Sequence, residues 1–296
     1  PHDLSNARKR LMCGICGIVD FEQPPSRRRV SAMATAIVHR GPDEEGIEEL
    51  GECVLGHRRL SIIDVESSRQ PMPNEDETVW LAFNGEIYNF VALRTSLQSK
   101  GHTFATNGDG ETIVHLYEEY GLDFVDHLNG MFAVALWDRT RKRLVLARDR
   151  LGIKPLYYAQ SGSKVLFGSE AKAILAAGGV PLDIDYQAIA GFMNYQTVPG
   201  ERTVFSAIRR LLPGHIATFD ADGWKTQRYW DVDFRHKESW STDTVVGQVE
   251  AVLSDCVQTR LVSDVPIGAF LSGGVDSSLV AAMMADDDEL AFKLKA

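Results

Sequence analysis

Between Cys13 and about residue 170 the chain strings together six short apolar runs: CGICGIVDF, CVLGHRRLSIID, TVWLAFNGEIYN, MFAVALWD, RLVLARD and KVLFGSE. They are rich in Val, Ile, Leu and Phe and are separated by turn residues, the signature of strands. RRVSAMATAIVHR, FVALRTSLQSKG and ETIVHLYEEYG carry helical patterning, the last two stopped by Gly101 and Gly121. Strands grouped this way, without regular strand–helix alternation, restrict the fold to stacked, largely antiparallel sheets with helices outside, an α+β class.

Beyond residue 180 the pattern loosens. Leu212-Pro213-Gly214-His215, FDADGWKT and RYWDVDF read as a closing hairpin followed by a connector. STDTVVGQVEAVLSDCVQTRL then predicts an amphipathic helix with Val245, Val249, Val252, Leu253, Cys256 and Val257 on one face and Ser241 or Thr242 as N-cap. VPIGAFL reads as a short buried strand, followed by SGGVDSS and the helical SLVAAMMA. Strand, Gly-rich turn and helix open an α/β nucleotide-binding domain. The expected organisation is an extension or leader over 1–12, a first domain over 13–220, a linker over 221–240 and an incomplete second domain over 241–296.

Composition bounds the partners. Thirty-one Lys and Arg against forty-one Asp and Glu leave a net charge of −10, which argues against nucleic acid or an anionic membrane. No apolar run approaches a membrane span, so a cytoplasmic protein is the default. Four cysteines make no disulfide framework. Cys13 and Cys16 form a C-x-x-C, but no second pair or His cluster completes a zinc set, and no residue is assigned to a resident metal.

The MCGICG context, followed in order by HRGPD (His39 to Asp43), RRLSIID (Arg58 to Asp64), FNGEIYN (Phe83 to Asn89), the GDGE segment (Gly108 to Glu111), MFAVALWD and ARDRLGIKPLYY, resembles the class II glutamine amidotransferases. Over residues 12–278 the chain is similar to the glutaminase half of the asparagine synthetase B family, including the asparagine synthetase-like enzymes of bacterial biosynthetic clusters. The resemblance implies a four-layer αββα N-terminal-nucleophile fold, followed by the start of an ATP-pyrophosphatase domain of the adenine nucleotide alpha hydrolase type.

The chemistry is consistent with this. A free α-amino group has a pKa of roughly 7.7–8.0 and can take the proton of a thiol on the same residue, with no histidine needed. Cys13 would then attack the glutamine amide, release ammonia and leave a thioester for water. By resemblance the oxyanion donors are the Asn84 side chain and the Gly85 N–H, glycine suiting a backbone that approaches its substrate closely. The family places the substrate carboxylate on Arg59 and its ammonium on Asp109, with the backbone of Leu60, Ser61, Ile62, Ile63 and Glu86 completing the pocket. Taken singly each residue has a bland reading: a surface arginine, a turn aspartate, an Asn-Gly hairpin, a small buried thiol. Only their joint order overturns these. Two features depart from the family: Gly108 and Gly110 flank Asp109 in a looser loop, and twelve residues precede Cys13. With those residues attached its nitrogen is an amide without basicity, so the active form is expected to begin at Cys13 and the chain as written to be inactive.

SGGVDSS resembles the pyrophosphate loop of ATP pyrophosphatases, with Ser272, Gly273, Gly274, Ser277 and Ser278 around an anion and Leu271 and Asp276 at the nucleotide end. A Walker loop is absent. In the family ATP, with Mg2+ on its phosphates, adenylates a carboxylate, and ammonia displaces AMP. The implied small molecules are glutamine, ATP and aspartate or another carboxylate, and a homodimer stays open. Sugar-isomerising and phosphoribosyl amidotransferases share the first domain but not this loop, and β-lactam-forming relatives lack the cysteine. A glutaminase-only fragment, a relic, or an enzyme amidating a carboxylate other than aspartate remain alternatives.

Overall fold

The computed structural model describes residues 12–60, 64, 68–235, 237–264 and 267–285. These fall into two compact units, the larger running to Asp231 and the smaller taking up the chain from Val232. In chain order the larger unit opens with β1 (Gly14–Asp20), α1 (Arg27–Ala36), β2 (Glu44–Glu49), β3 (Cys53–Arg59), β4 (Met72–Pro73), β5 (Val79–Ile87), α2 (Phe90–Ser99) and α3 (Glu111–Tyr120). It continues with β6 (Gly130–Asp138), β7 (Arg143–Arg148), β8 (Tyr157–Ser161), β9 (Lys164–Gly168), α4 (Ala171–Ala176), α5 (Tyr186–Tyr195), β10 (Arg209–Arg210), β11 (His215–Asp220) and β12 (Gly223–Arg228).

Among the described residues these strands build two six-stranded antiparallel sheets, ordered β10-β8-β9-β1-β3-β2 and β12-β11-β7-β6-β5-β4. Alternation along each strand sorts its side chains into layers. On β1, Cys16 and Ile18 pack with Val30, Met33 and Ala34 of α1. Ile15 and Val19 point the other way and join Ala82, Ala133, Ala135 and Trp137 between the sheets. On β5, Leu81 and Phe83 pack with Leu97 of α2 and Ile113 and Leu116 of α3. The layers therefore run helix, sheet, sheet, helix, as expected. Trp137, Phe167 and Phe219 are almost wholly buried, and each such side chain contributes about 1.5–3 kcal/mol on leaving water.

The stretch where the sequence pattern loosens continues the second sheet. β11 and β12 pair from His215↔Arg228 to Asp220↔Gly223, and the Tyr229 hydroxyl donates to the Arg148 carbonyl at 2.7 Å. Strand pairing thus reaches into the segment 221–240.

The smaller unit contains α6 (Thr242–Gln258) and α7 (Val275–Ala285). Ser241 caps α6, its hydroxyl accepting the Thr244 N–H at 3.2 Å. Of VPIGAFL, expected as a buried strand, Val265 and Pro266 lie outside the described residues. Apart from a single bridging residue at Gly268 its described residues have no strand, and Phe270 and Leu271 are exposed. A strand needs neighbours to take its main-chain groups and cover its side chains; no described strand runs alongside.

Candidate active site

Cys13 immediately precedes β1, and alternation turns it to the side of Ile15 and Val19, toward the space between the sheets. Arg59 on β3 is in step with Cys53 and Leu55, and Asn84 on β5 is in step with Ala82, all facing the same layer. Residues drawn from three separate motifs thus share one face. The Leu60 N–H points at the Cys13 Sγ from 3.3 Å, and the charges of Arg59, Lys154 and Asp109 all act on this thiol. Burial raises the Cys13 pKa above its ordinary value, outweighing the Leu60 N–H and the two cations. The group is a thiol at neutral pH and needs a base.

Cys16 is no redox partner for it. Three residues on, it faces α1, fully buried, and burial pushes its pKa to about 12. Arg40 at the end of the α1 segment holds the nucleophile from the main chain instead. Its Nε donates to the Cys13 carbonyl at 3.0 Å, its own carbonyl accepts the Met12 N–H at 2.9 Å, and its Nη1 meets Glu170 at 3.2 Å. Gly41 of the same HRGPD run lets the chain touch β3, since a Cβ there would sit 2.4 Å from the Arg58 backbone.

Asn84 and Gly85 lie in the middle of β5, opposite Ala133 and Phe132 of β6, and form no hairpin turn. The Asn84 Nδ2 is buried with no partner in the protein, a costly state for an amide donor unless something else accepts from it. The N–H groups of Phe83 and Ile87 leave one edge of β5, toward Gln70 Oε1 at 2.6 Å and Asp109 Oδ2 at 2.8 Å. The two-residue repeat turns the Gly85 N–H to that same edge. The need for glycine here comes from the other side: a Cβ would lie 2.1 Å from the Met131 carbonyl of β6.

Asp109, one residue before the N-cap of α3, is buried and anchored by its bond from Ile87, so its flanking glycines do not leave it loose. Burial raises its pKa to about 6, against the opposing Ile87 N–H. Arg59 is also buried, with Nη1 3.6 Å from Glu44 Oε2. Glu86 acts electrostatically on both Asp109 and Lys154. Ser61, Ile62 and Ile63 lie outside the described residues.

Four further neighbours, to which the sequence assigned no role, shape the site. His57 spans the layer, its Nε2 3.0 Å from the Phe83 carbonyl. Lys154 is buried, its Nζ 3.1 Å from Met12 Sδ, and burial lowers its pKa. Asp149 folds the loop that delivers Lys154, accepting the N–H groups of Phe132, Leu151, Ile153 and Lys154 at 2.8–3.2 Å. Arg148 binds the same loop through the carbonyls of Lys154 and Gly152. The signal was within ARDRLGIKPLYY: an aspartate followed at once by a Gly-containing loop commonly bonds its own downstream amides.

In the smaller unit SGGVDSS closes on itself. The hydroxyls of Ser272 and Ser277 lie 2.9 Å apart, Ser277 donates to the Gly274 carbonyl at 3.1 Å, and Gly273 takes φ +78°. α7 starts directly behind, with Asp276 in its first turn and Leu271 and Ser278 exposed. Main-chain amides at a helix start are suited to an anion.

Residues 12–230 match the family model of the glutamine amidotransferase domain. The chain belongs to that family. Residues 248–294 match the asparagine synthase model. Among curated proteins this chain is similar to asparagine synthetase [glutamine-hydrolyzing] 3 of Bacillus subtilis, 40% identical over 93% of this chain and 45% of the relative. Amidase chyE of Penicillium rubens is 36% identical over 92% of this chain and 43% of its own length. The chain spans less than half the length of these relatives. Among solved structures it resembles the glutamine phosphoribosylpyrophosphate amidotransferase of B. subtilis complexed with ADP and GMP. The TM-score is 0.56 and the identity 18%, over 95% of this chain and 65% of that one, a likeness of fold.

Proposed function

We propose that Cys13 hydrolyses glutamine to glutamate and ammonia once its own amino group is free. The observation that carries the reading is the buried, unpartnered Asn84 Nδ2 on the same inter-sheet face as the Cys13 thiol. The amine takes the thiol proton and sulfur bonds to the amide carbon. Asn84 Nδ2 and the Gly85 N–H receive the oxyanion. Its collapse breaks the C–N bond, and the ammonium of Cys13 returns the proton to the leaving ammonia. Water then cleaves the thioester. Arg59 takes the substrate carboxylate and Asp109, ionised above its pKa of about 6, the ammonium. The backbone of Leu60 to Ile63 and Glu86 completes the pocket.

The asparagine synthase match over 248–294 and the names of the relatives support a second step. There the ammonia amidates a carboxylate adenylated by ATP at the SGGVDSS loop, with Mg2+ on the phosphates. Aspartate, giving asparagine, AMP and pyrophosphate, is the leading acceptor, and the similarity to amidase chyE keeps other carboxylates in view. On this reading the glutaminase domain gives way after Asp231 to a connector and, from Ser241, to the ATP domain. Consumption of ATP and glutamine together fits the cytoplasm.

The test is ammonia release from glutamine by protein begun at Met12, whose removal in the host exposes Cys13, beside the chain as written. Turnover in the shorter form alone is the expected result. A folded protein with Cys13 confirmed at its terminus and no turnover overturns the reading.

A further inference from the structure

On the outer side of α3, four side chains from three segments converge. Glu75 comes from the turn between β4 and β5, His102 from the loop after α2, and His115 and Glu118 from one face of α3. One ligating atom from each lies within 4.8 Å of all the others. His115 Nδ1 is 2.9 Å from Glu118 Oε2 and 3.6 Å from Glu75 Oε2, while His102 Nδ1 is 3.7 Å from Glu118 Oε2. A tetrahedral ion with ligands at about 2.0–2.2 Å sets those ligands about 3.3–3.6 Å apart. The observed separations straddle that range.

The outward atoms of the same side chains are each held from behind. Glu118 Oε1 accepts from Asn74 Nδ2 at 2.7 Å, and Glu75 Oε1 accepts the Thr103 N–H at 3.0 Å. His102 Nε2 meets Glu119 Oε1 at 3.1 Å. His115 is wholly buried, and its Nε2 has no hydrogen bond, with Glu111 Oε1 standing 3.7 Å away. A ring bound through Nδ1 to a cation would carry its proton on Nε2 and direct it at Glu111, the carboxylate–histidine–metal arrangement. Both histidines have such a carboxylate behind them. Four carboxylates around two rings leave the cluster in need of a positive charge.

We infer that Glu75, His102, His115 and Glu118 form a closed, structural site for one tetrahedral divalent transition-metal ion, zinc by its nitrogen and oxygen donors. The ion would pin the β4–β5 turn and the end of α2 to α3, whose start is preceded by Asp109.

The experiment titrates metal-free full chain with Zn2+, counting bound metal by plasma mass spectrometry, and records the visible spectrum with Co2+. One equivalent per chain is expected, with a tetrahedral Co2+ spectrum lacking thiolate charge transfer. His102→Ala and Glu75→Gln, both at partly exposed positions, should weaken binding at least about 100-fold, and Glu119→Gln, which leaves every ligand in place, about 10–100-fold. Zinc should raise the melting temperature of the unaltered protein and not of the ligand variants. Folded protein that takes up no stoichiometric zinc overturns the site, leaving a protonated histidine cluster. Uptake that survives His102→Ala and Glu75→Gln but vanishes in Cys13→Ser overturns it as well.

Discussion

His57 on β3 reaches across to Phe83 on β5, its Nε2 3.0 Å from the carbonyl oxygen, and so ties the two sheets together beside Arg59 and Asn84. Burial lowers its pKa from 6.5 to about 4, more than the bond to Phe83 raises it. The unfolded chain therefore takes up this proton first, and stability is lost as pH falls from 6.5 toward about 4. Asp109 has the opposite sign. Its pKa rises from 3.8 to about 6, so the folded state holds the extra proton and gains stability over nearly the same interval. The two effects offset each other. Asp109→Asn should expose the His57 term, a loss of about 3 kcal/mol between pH 6.5 and 4, whereas His57→Gln should make the same acidification favourable. Denaturant midpoints across this interval check the pair, and parallel curves for both variants would refute it.

Asn84→Ala should lower kcat for ammonia release by about 100- to 1,000-fold with little change in KM. Since its Nδ2 binds nothing in the protein, the melting temperature should hardly move. Stopped-time ammonia assays and a thermal melt on the same sample separate the two.

Gly85→Ala should damage the fold before it damages the chemistry. The new methyl would lie 2.1 Å from the Met131 carbonyl in the centre of a sheet, so a loss of about 1–3 kcal/mol or more is expected. Urea unfolding reads it; an unchanged midpoint would mean that β6 moves aside freely.

Asp149→Ala removes the acceptor of four main-chain N–H groups. The Phe132 and Lys154 donors are buried, and leaving each unmade costs about 1–3 kcal/mol, while water can reach those of Leu151 and Ile153. Lys154 should lose its place with the loop, so glutamine turnover should fall in the fraction that stays folded. Chemical denaturation and a turnover assay on that fraction measure both.

The strands and their stacking in layers were legible because apolar runs and turn residues are local signals; their order in the two sheets was not, and only with β1, β3 and β5 in place does parity turn Cys13, Arg59 and Asn84 to one layer. Asn84-Gly85 had a competing reading as a turn, which failed because the apolar run continues unbroken on both sides of it. His57, Arg40 and Lys154 stayed silent for the opposite reason. Each acts through a partner 26 or more residues away in sequence: Phe83 for His57, Cys13 for Arg40 and Met12 for Lys154. Glu75 and His102 were hidden in the same way. VPIGAFL shows the limit of apolar content as a strand signal, since its described residues carry only the bridge at Gly268 and leave Phe270 and Leu271 exposed.

Arg40 grips the chain on either side of the Met12–Cys13 peptide, one bond to each residue. Cutting that peptide would release the upstream grip and keep the downstream one. The newborn terminus would then be a pendulum on a fixed hinge: its sulfur stays at the Leu60 amide while its nitrogen, no longer part of a planar bond, is free to turn toward the proton it must collect.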